Sequence, residues 1–452
     1  MLTYELKKAP GLPLYEALYR CIRGDILSGK LACGDRLPSK RALAAHLGVS
    51  KITVETAYNQ LAAEGYIISR EKVGYFVEQV ETPAKPVPLP IAPEKPEAPL
   101  LDLTANVPAQ FPFSVWSKCQ RQVLLDYGAR LLQPLPSQGL QELRQAIAGH
   151  LADFRGMQVD AGQIIIGAGT DFLYNLVPQL LGQDKCFALE EPGYGKIRQI
   201  YTAAGAKTQP APMDADGVIP DGLSGANVLH FSPSHHFPSG IVTSARRRQQ
   251  LLKWAADNEA WIVEDDYDCE FRFGTHPLPA LFGQSERVIY MNSFSKSLAP
   301  SIRIGYMVLP GHLLEVFRQM LGFYNCTVSG FEQLTLARFL RQGHFEQHIN
   351  RMRKFYRLRR NQLLSLIENS PHRSRLTIEE ADAGLHFLLK IDTELSDEEL
   401  ENHCQNLGVR VHSLSRFYAE TPPPNRRHRL VINYSGLTEA DTEAFRQLLG
   451  KL

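Results

Sequence analysis

The sequence predicts an α/β protein, an open α/β sheet domain preceded by a small block of helices and a hairpin. Three observations carry that expectation. Apolar runs at Ile164–Ile166, Phe187–Glu190 and Trp261–Val263 end in turns of small or acidic residues, one of them leading straight into the periodic segment 172–181. That is how strands and helices alternate in such sheets. Residues 1–80 show instead three helical stretches and a pair of short β runs. Residues 81–100 between them hold seven prolines and no aromatic side chain.

In chain order, Leu14, Ala17, Leu18, Cys21, Ile22, Ile26 and Leu27 recur at helical spacing, which predicts a helix over Pro13–Lys30. Ser39 is placed as the N-cap of a second helix, Lys40–Leu47, ended by Gly48. Ser50 caps a third, from Lys51 to about Glu64, stopped by Gly65. Val54, Ala57 and Leu61 form its buried stripe, and Lys51, Thr53 and Asn59 take polar positions. Two short helices joined by a tight glycine-containing turn form the helix-turn-helix pattern, whose second helix meets base edges in the major groove. Tyr66–Val77 reads as a β-hairpin with Arg70, Lys72 and Gly74 near its tip.

A plain helical bundle would share this periodicity, so the particular residues decide. Leu37-Pro-Ser-Lys-Arg41, Leu47-Gly-Val-Ser-Lys51, Thr53-Val54, Ala57-Tyr58 and Glu64-Gly-Tyr66 resemble the winged helix-turn-helix of GntR-type bacterial regulators. The resemblance implies double-stranded operator DNA as a partner, contacted by Ser39, Arg41, Ser50, Lys51, Thr53 and the wing at Gly74. Lysine stands at position 51 where that family more often has arginine, which removes a planar fork for bidentate contact. The proline-rich segment reads as a semi-rigid spacer, able to span roughly 60 Å at about 3.1 Å per residue.

The long C-terminal part carries its chemistry in Ser293-Phe-Ser-Lys296, with Arg303 seven residues beyond the lysine at the start of an apolar strand, Ile302–Leu309. A lysine amine forms a Schiff base with an aldehyde, and an arginine fork holds a phosphate bidentately. Ile164-Ile-Ile-Gly-Ala-Gly-Thr-Asp171 is a glycine turn opening a helix, whose free N–H groups suit a phosphate; such turns also serve as plain connections. Glu190-Glu-Pro-Gly-Tyr194 puts an aromatic ring at a strand end, placed to stack on a flat heterocycle or to pack on the surface. Trp261-Ile-Val-Glu-Asp-Asp-Tyr267 ends a strand in carboxylates, where an aspartate can keep a pyridine nitrogen protonated.

These elements, in this order, resemble the fold-type-I pyridoxal 5'-phosphate (PLP) aminotransferases over about residues 101–452. The resemblance implies a mainly parallel sheet and a smaller C-terminal α+β subdomain from about residue 330. It implies Lys296 as the catalytic Schiff-base lysine and Asp265 as partner of the pyridine nitrogen, with Asp266 as competitor. Tyr194 would stack on the ring and Tyr267 would bond its 3-oxygen. Gly169, Thr170, Ser293 and Arg303 would hold the phosphate. A winged helix (1–80), a proline-rich linker (81–100) and an aminotransferase-like domain together resemble the MocR-type subgroup of GntR regulators. That subgroup implies a head-to-tail homodimer with exchanged arms, responding to PLP or to a small amine or amino acid through it.

Two departures bear on the alternative, a working aminotransferase with a DNA-binding arm. Aligning Tyr434-Ser435 with the substrate-gripping strand puts Val431 where those enzymes carry arginine, with Arg429 two residues earlier. Phe237 stands before Pro238 where they carry asparagine. The expected output is therefore regulation, with at most residual transamination. Lys196 and Arg429 are the leading candidates to receive an anionic effector, with Arg410 and Arg416 behind them. A cofactor-free dimerisation scaffold would leave the whole ring-binding set idle. Net charge is +1, so DNA affinity must come from the local cluster Arg36, Lys40, Arg41 and Lys51, together with the wing. Seven cysteines without a C-x-x-C pair imply a cytoplasmic protein with reduced thiols. No apolar stretch reaches membrane-spanning length, and His235-His236 lacks the spacing of a metal site.

Overall fold

The computed structural model describes residues 2–4, 6, 13–80, 101–105, 110–273 and 278–451. They fall into two compact units, Met1–Pro96 and Glu97–Leu452. The expected proline-rich linker, 81–100, lies outside the described residues.

The N-terminal unit contains α1 (Leu14–Leu27), α2 (Lys40–Leu47) and α3 (Lys51–Ala63), then β1 (Ile67–Arg70) and β2 (Gly74–Val77). α1 ends at Leu27 rather than Lys30, because the chain turns through Gly29 at φ 78°. Ser39 Oγ accepts the Ala42 N–H at 3.2 Å and Ser50 Oγ accepts that of Thr53 at 3.0 Å, so both caps satisfy otherwise orphaned donors. Gly48 closes α2 in the left-handed region, where a side chain would be strained. Leu18, Ile22, Leu43, Val54, Ala57, Tyr58 and Leu61 form the core. The Tyr58 hydroxyl, fully inside, donates to the Pro38 carbonyl at 2.9 Å. The hairpin pairs Ile67 with Val77 through Arg70 with Gly74.

The large unit runs β3 (Leu101–Asp102), α4 (Phe113–Tyr127), α5 (Gln141–Arg155), β4 (Ile164–Gly167), α6 (Thr170–Leu181), β5 (Cys186–Glu191) and α7 (Gly195–Ala203). Next come β6 (Lys207–Asp214), β7 (Gly217–Val218), β8 (Val228–Phe231), α8 (Ala245–Asp257), β9 (Trp261–Asp265), β10 (Val288–Ser293) and β11 (Gly305–Val308). It closes with α9 (Gly311–Leu321), α10 (Gly330–Arg341), α11 (His344–Glu368), β12 (Leu376–Glu379), β13 (His386–Ile391) and α12 (Asp397–Asn406). After these come β14 (Val409–Arg410), β15 (His412–Ser413), β16 (Arg429–Asn433) and α13 (Glu439–Leu449).

Eight strands form one sheet in the order β4-β11-β10-β9-β8-β5-β6-β7. β10, β9, β8, β5 and β6 are parallel in succession, while β11 runs against both its neighbours. The sheet is thus mainly parallel, and its central strands are buried on both faces, as crossover helices require. A second, antiparallel sheet has the order β12-β13-β16-β15. α10, which starts at residue 330, packs against α4 and α5, so the smaller sheet begins later, at Leu376. The strand expected over Ile302–Leu309 starts at Gly305, because Pro300–Ile302 forms a 3-10 turn first.

Candidate cofactor pocket and DNA-binding face

Three strand ends meet beside the start of α6. Ser293, the last residue of β10, pairs with Gly305, and Gly305 pairs with Gly167 at the end of β4. The chain then turns through Gly169 at φ 81° into Thr170, the first residue of α6. A Cβ at Gly169 would stand 2.7 Å from the Arg303 guanidinium carbon, so only glycine lets the fork approach the turn. Arg303 itself lies in the left-handed region at φ 52°, a conformation that costs an L-residue about 1 kcal/mol. Its Nη2 donates to the Ala168 carbonyl and to Asp171 Oδ2, both at 3.1 Å. Gly169, Thr170, Ser293 and Arg303 are therefore brought together around free helix N–H groups.

β9 delivers the carboxylates. Side chains alternate along a strand, and Asp265 and Asp266 go to different partners. One Asp265 oxygen accepts from the Tyr174 hydroxyl and lies 3.4 Å from His230 Nε2, whose Nδ1 is 2.6 Å from the Tyr201 hydroxyl. Its other oxygen is buried without a hydrogen-bond partner among the described residues. Asp266 is instead ion-paired with Arg155 Nη2 at 2.9 Å and accepts from the Tyr290 hydroxyl at 2.8 Å through one oxygen, its other oxygen having no hydrogen-bond partner among the described residues. His230 is not singled out by the sequence, and Arg155, which with Gly156 belongs to the segments that resemble the aminotransferases, has no role assigned there. The position of His230 at a strand end was the available signal, whereas nothing local announces the Arg155 pair.

Tyr267 places its hydroxyl 3.2 Å from His235 Nδ1, which is also 2.8 Å from Asp268. Burial pushes the Tyr267 phenol well above its ordinary range. Lys296, on the turn after β10, is lowered to about 8 because burial disfavours the ammonium, with Asp268 partly offsetting this. Tyr194 caps α7 and is half exposed, with its ring 6.0 Å from that of Phe237 in an edge-to-face contact. A cavity of about 230 Å³ opens beside it, lined by Glu190, Arg198, His230, Phe417 and Tyr418 among others. Phe237 and Val431, the two departures from the aminotransferase pattern, share one apolar cluster with Leu388, Leu414, Phe417 and Tyr418.

The cations expected to receive an effector are already engaged. Arg429 forks onto Glu379 at 2.7 and 3.0 Å and donates to the Asn425 and Arg427 carbonyls. An effector carboxylate at Arg429 would therefore have to displace Glu379. Lys196 Nζ is 2.6 Å from Asp171 Oδ2, the same oxygen that Arg303 uses. Burial would raise the Asp171 carboxyl, but these two donors outweigh it and hold its pKa below the ordinary value. Lys196 thus faces the phosphate end of the site through a carboxylate. Arg416 pairs with Glu401 at 2.9 Å and Arg410 with Asp102 at 3.5 Å.

On the N-terminal unit, Ser39, Arg41, Ser50 and Lys51 are exposed and Thr53 is half-buried. They lie at the starts of α2 and α3. The Ser50 and Thr53 hydroxyls bond each other at 2.8 Å, so both serve the cap. Arg36 donates to the Val73 carbonyl and Lys40 pairs with Glu55 at 2.8 Å. Two of the four cations expected to meet DNA are thus spent on fixing the wing and α3. Gly74 opens β2 at φ 134°, 3.3 Å from Arg36 Nε as a Cβ would measure it.

A winged helix-turn-helix followed along the chain by an aminotransferase-like fold defines a class of bacterial transcriptional regulator. The family model of bacterial regulatory proteins, gntR family, matches residues 14–77. The chain is 38% identical to the HTH-type transcriptional regulator YdeL of Bacillus subtilis, over 97% of this chain and 96% of that one. It is 32% identical to the probable rhizopine catabolism regulatory protein MocR of Rhizobium meliloti, over 96% and 92%. The large unit resembles an archaeal alanine:glyoxylate aminotransferase, with TM-score 0.69 and 21% identity over 78% of this chain and 92% of that one, a likeness of fold. The chain belongs to the MocR-type subgroup of the GntR family and is a DNA-binding transcriptional regulator. Among its described residues no helix is long and apolar enough to cross a membrane.

Proposed function

We propose that this regulator holds PLP at Lys296 and changes its affinity for operator DNA when an amino compound enters the same pocket. The carrying observation is Asp265, a buried carboxylate with one oxygen held by Tyr174 and the other left without a partner. An acceptor so placed suits a protonated ring nitrogen. Asp266 also keeps one oxygen without a hydrogen-bond partner, but its charge is already matched by the buried Arg155 guanidinium. Asp265 has no cationic guanidinium or ammonium partner among the described residues. When bound, PLP supplies an aldehyde that exchanges amines and a ring that draws electrons. Lys296, with its amine lowered to about 8, supplies a nucleophile partly neutral at physiological pH. The Thr170 N–H at the Gly169 turn, the Ser293 hydroxyl and the Arg303 fork hold the phosphate, with Asp171 released from Arg303, while the Gly169 N–H is given to the Gly167 carbonyl at 2.8 Å. Tyr267 donates to the ring 3-oxygen, and Tyr194 covers one ring face. The neighbouring cavity, about 230 Å³, gives an amine or amino acid its room.

Ordinary turnover is not the output under this reading. The positions where an aminotransferase would carry its substrate arginine and its asparagine hold Val431 and Phe237, in one apolar cluster. The amine of Lys296 can still move protons, which favours slow residual transamination. Phe113, Leu125, Leu132 and Phe323 are exposed apolar side chains on the large unit, and a second copy of this chain in a homodimer would cover them.

The test is an absorbance titration of the purified protein with PLP, with Lys296→Ala beside it, while binding to its own upstream DNA is followed. A near-visible band present only with Lys296, and DNA affinity that changes when amines shift it, is the expected result. A band that yields keto product at enzyme-like rates while DNA binding stays unchanged makes the protein an aminotransferase first. No band in either protein leaves the large unit a scaffold.

A further inference from the structure

We propose that Ile52 reads the 5-methyl group of a thymine in the major groove and so sets one base position of the operator. This rests on the chain being a DNA-binding regulator. α3 buries Val54, Ala57 and Leu61 and turns Ile52, Thr56 and Asn59 outward, spaced i, i+4 and i+7 on one face. Ile52 is 72% exposed, the highest value for a large apolar side chain among the described residues of this unit. It belongs to no part of the core, so its side chain does nothing for the fold.

The surrounding groups narrow what it can meet. Ser50 and Thr53, on either side, turn their hydroxyls to each other and to the helix cap. Glu55, the acid nearest this face, is neutralised by Lys40. Lys51 and Arg41 make no hydrogen bond or ion pair among the described residues and stand at helix starts, where phosphates are received. The first turn of α3 therefore presents an aliphatic branch flanked by cations, with a hydroxyl and an amide behind it. An aliphatic branch cannot hydrogen-bond a base edge, and the apolar group on the major-groove floor is the thymine methyl.

The full-length protein is used to select sites from a pool of randomised duplex DNA. Each thymidine of the recovered site is then replaced by deoxyuridine, which removes the methyl group alone. One thymine per half-site is expected to lose about tenfold in wild-type affinity on this swap, about 1.4 kcal/mol. Ile52→Ala is expected to bind the thymine and uracil forms of that site equally, with unchanged thermal unfolding. Ile52→Asn is expected to move the selected base there from thymine to adenine. Swaps that weaken wild type and Ile52→Ala alike, or that have no effect at any thymine, overturn the assignment alone. A wild-type protein that enriches no sequence overturns both the assignment and the regulator reading beneath it.

Discussion

The Lys296 amine illustrates how burial alone prepares a side chain. Water is withheld from its ammonium, Asp268 repays part of the loss, and the net effect lowers the amine to about 8. The rate of PLP capture should therefore rise about tenfold per pH unit below this value and level off above it, instead of climbing toward the free lysine value of about 10.4. Following the absorbance change at several pH values checks this directly. Arg429 carries the opposite lesson, since its fork is consumed by Glu379 and two carbonyls. Arg429→Ala should cost about 2 kcal/mol of stability, because it leaves a half-buried carboxylate unpaired. The amine concentration that half-shifts the absorbance band should stay the same. A lost ligand response at unchanged stability would return Arg429 to the effector site.

At the scale of one element, the end of β9 sends adjacent carboxylates, its last residue and the next, to two tasks. Asp265 faces Tyr174 and His230, and Asp266 closes a buried pair with Arg155. Asp266→Asn leaves that arginine uncompensated and should destabilise the large unit by about 3 kcal/mol. Asp265→Asn should change stability by less than about 1 kcal/mol while sharply weakening PLP binding. Denaturant unfolding and PLP titration of the two variants separate these roles. Equal stability losses would mean that both carboxylates are structural. α3 shows a similar division, with its first turn giving two hydroxyls to the cap and leaving Lys51 and Ile52 outward.

For the molecule as a whole, two compact units with separate cores imply two cooperative unfolding events. PLP should raise only the transition of the large unit, by about 2.7 kcal/mol at a hundredfold excess over Kd. Scanning calorimetry with and without PLP measures both transitions. A single transition that shifts as one would show that the units unfold together.

The caps Ser39 and Ser50, the turn at Gly48, the hairpin and the β4-to-α6 turn were legible in the sequence. They depend on neighbours a few residues away and on the backbone freedom of glycine. The Ser293-to-Lys296 turn and Arg303 were legible for the same reason, although the strand beyond begins at Gly305 rather than Ile302. What stayed hidden was which charges are already spent. Arg36, Lys40, Lys196 and Arg429 all looked available, and each meets a partner that only the fold brings near. Asp265 and Asp266 are adjacent in the chain and nearly equal in chemistry. Only the tertiary packing of α5 and α6 on the sheet gives one to Arg155 and the other to Tyr174. Local backbone chemistry is written in adjacent residues, whereas the pairing of a charge depends on groups that the chain delivers from far away.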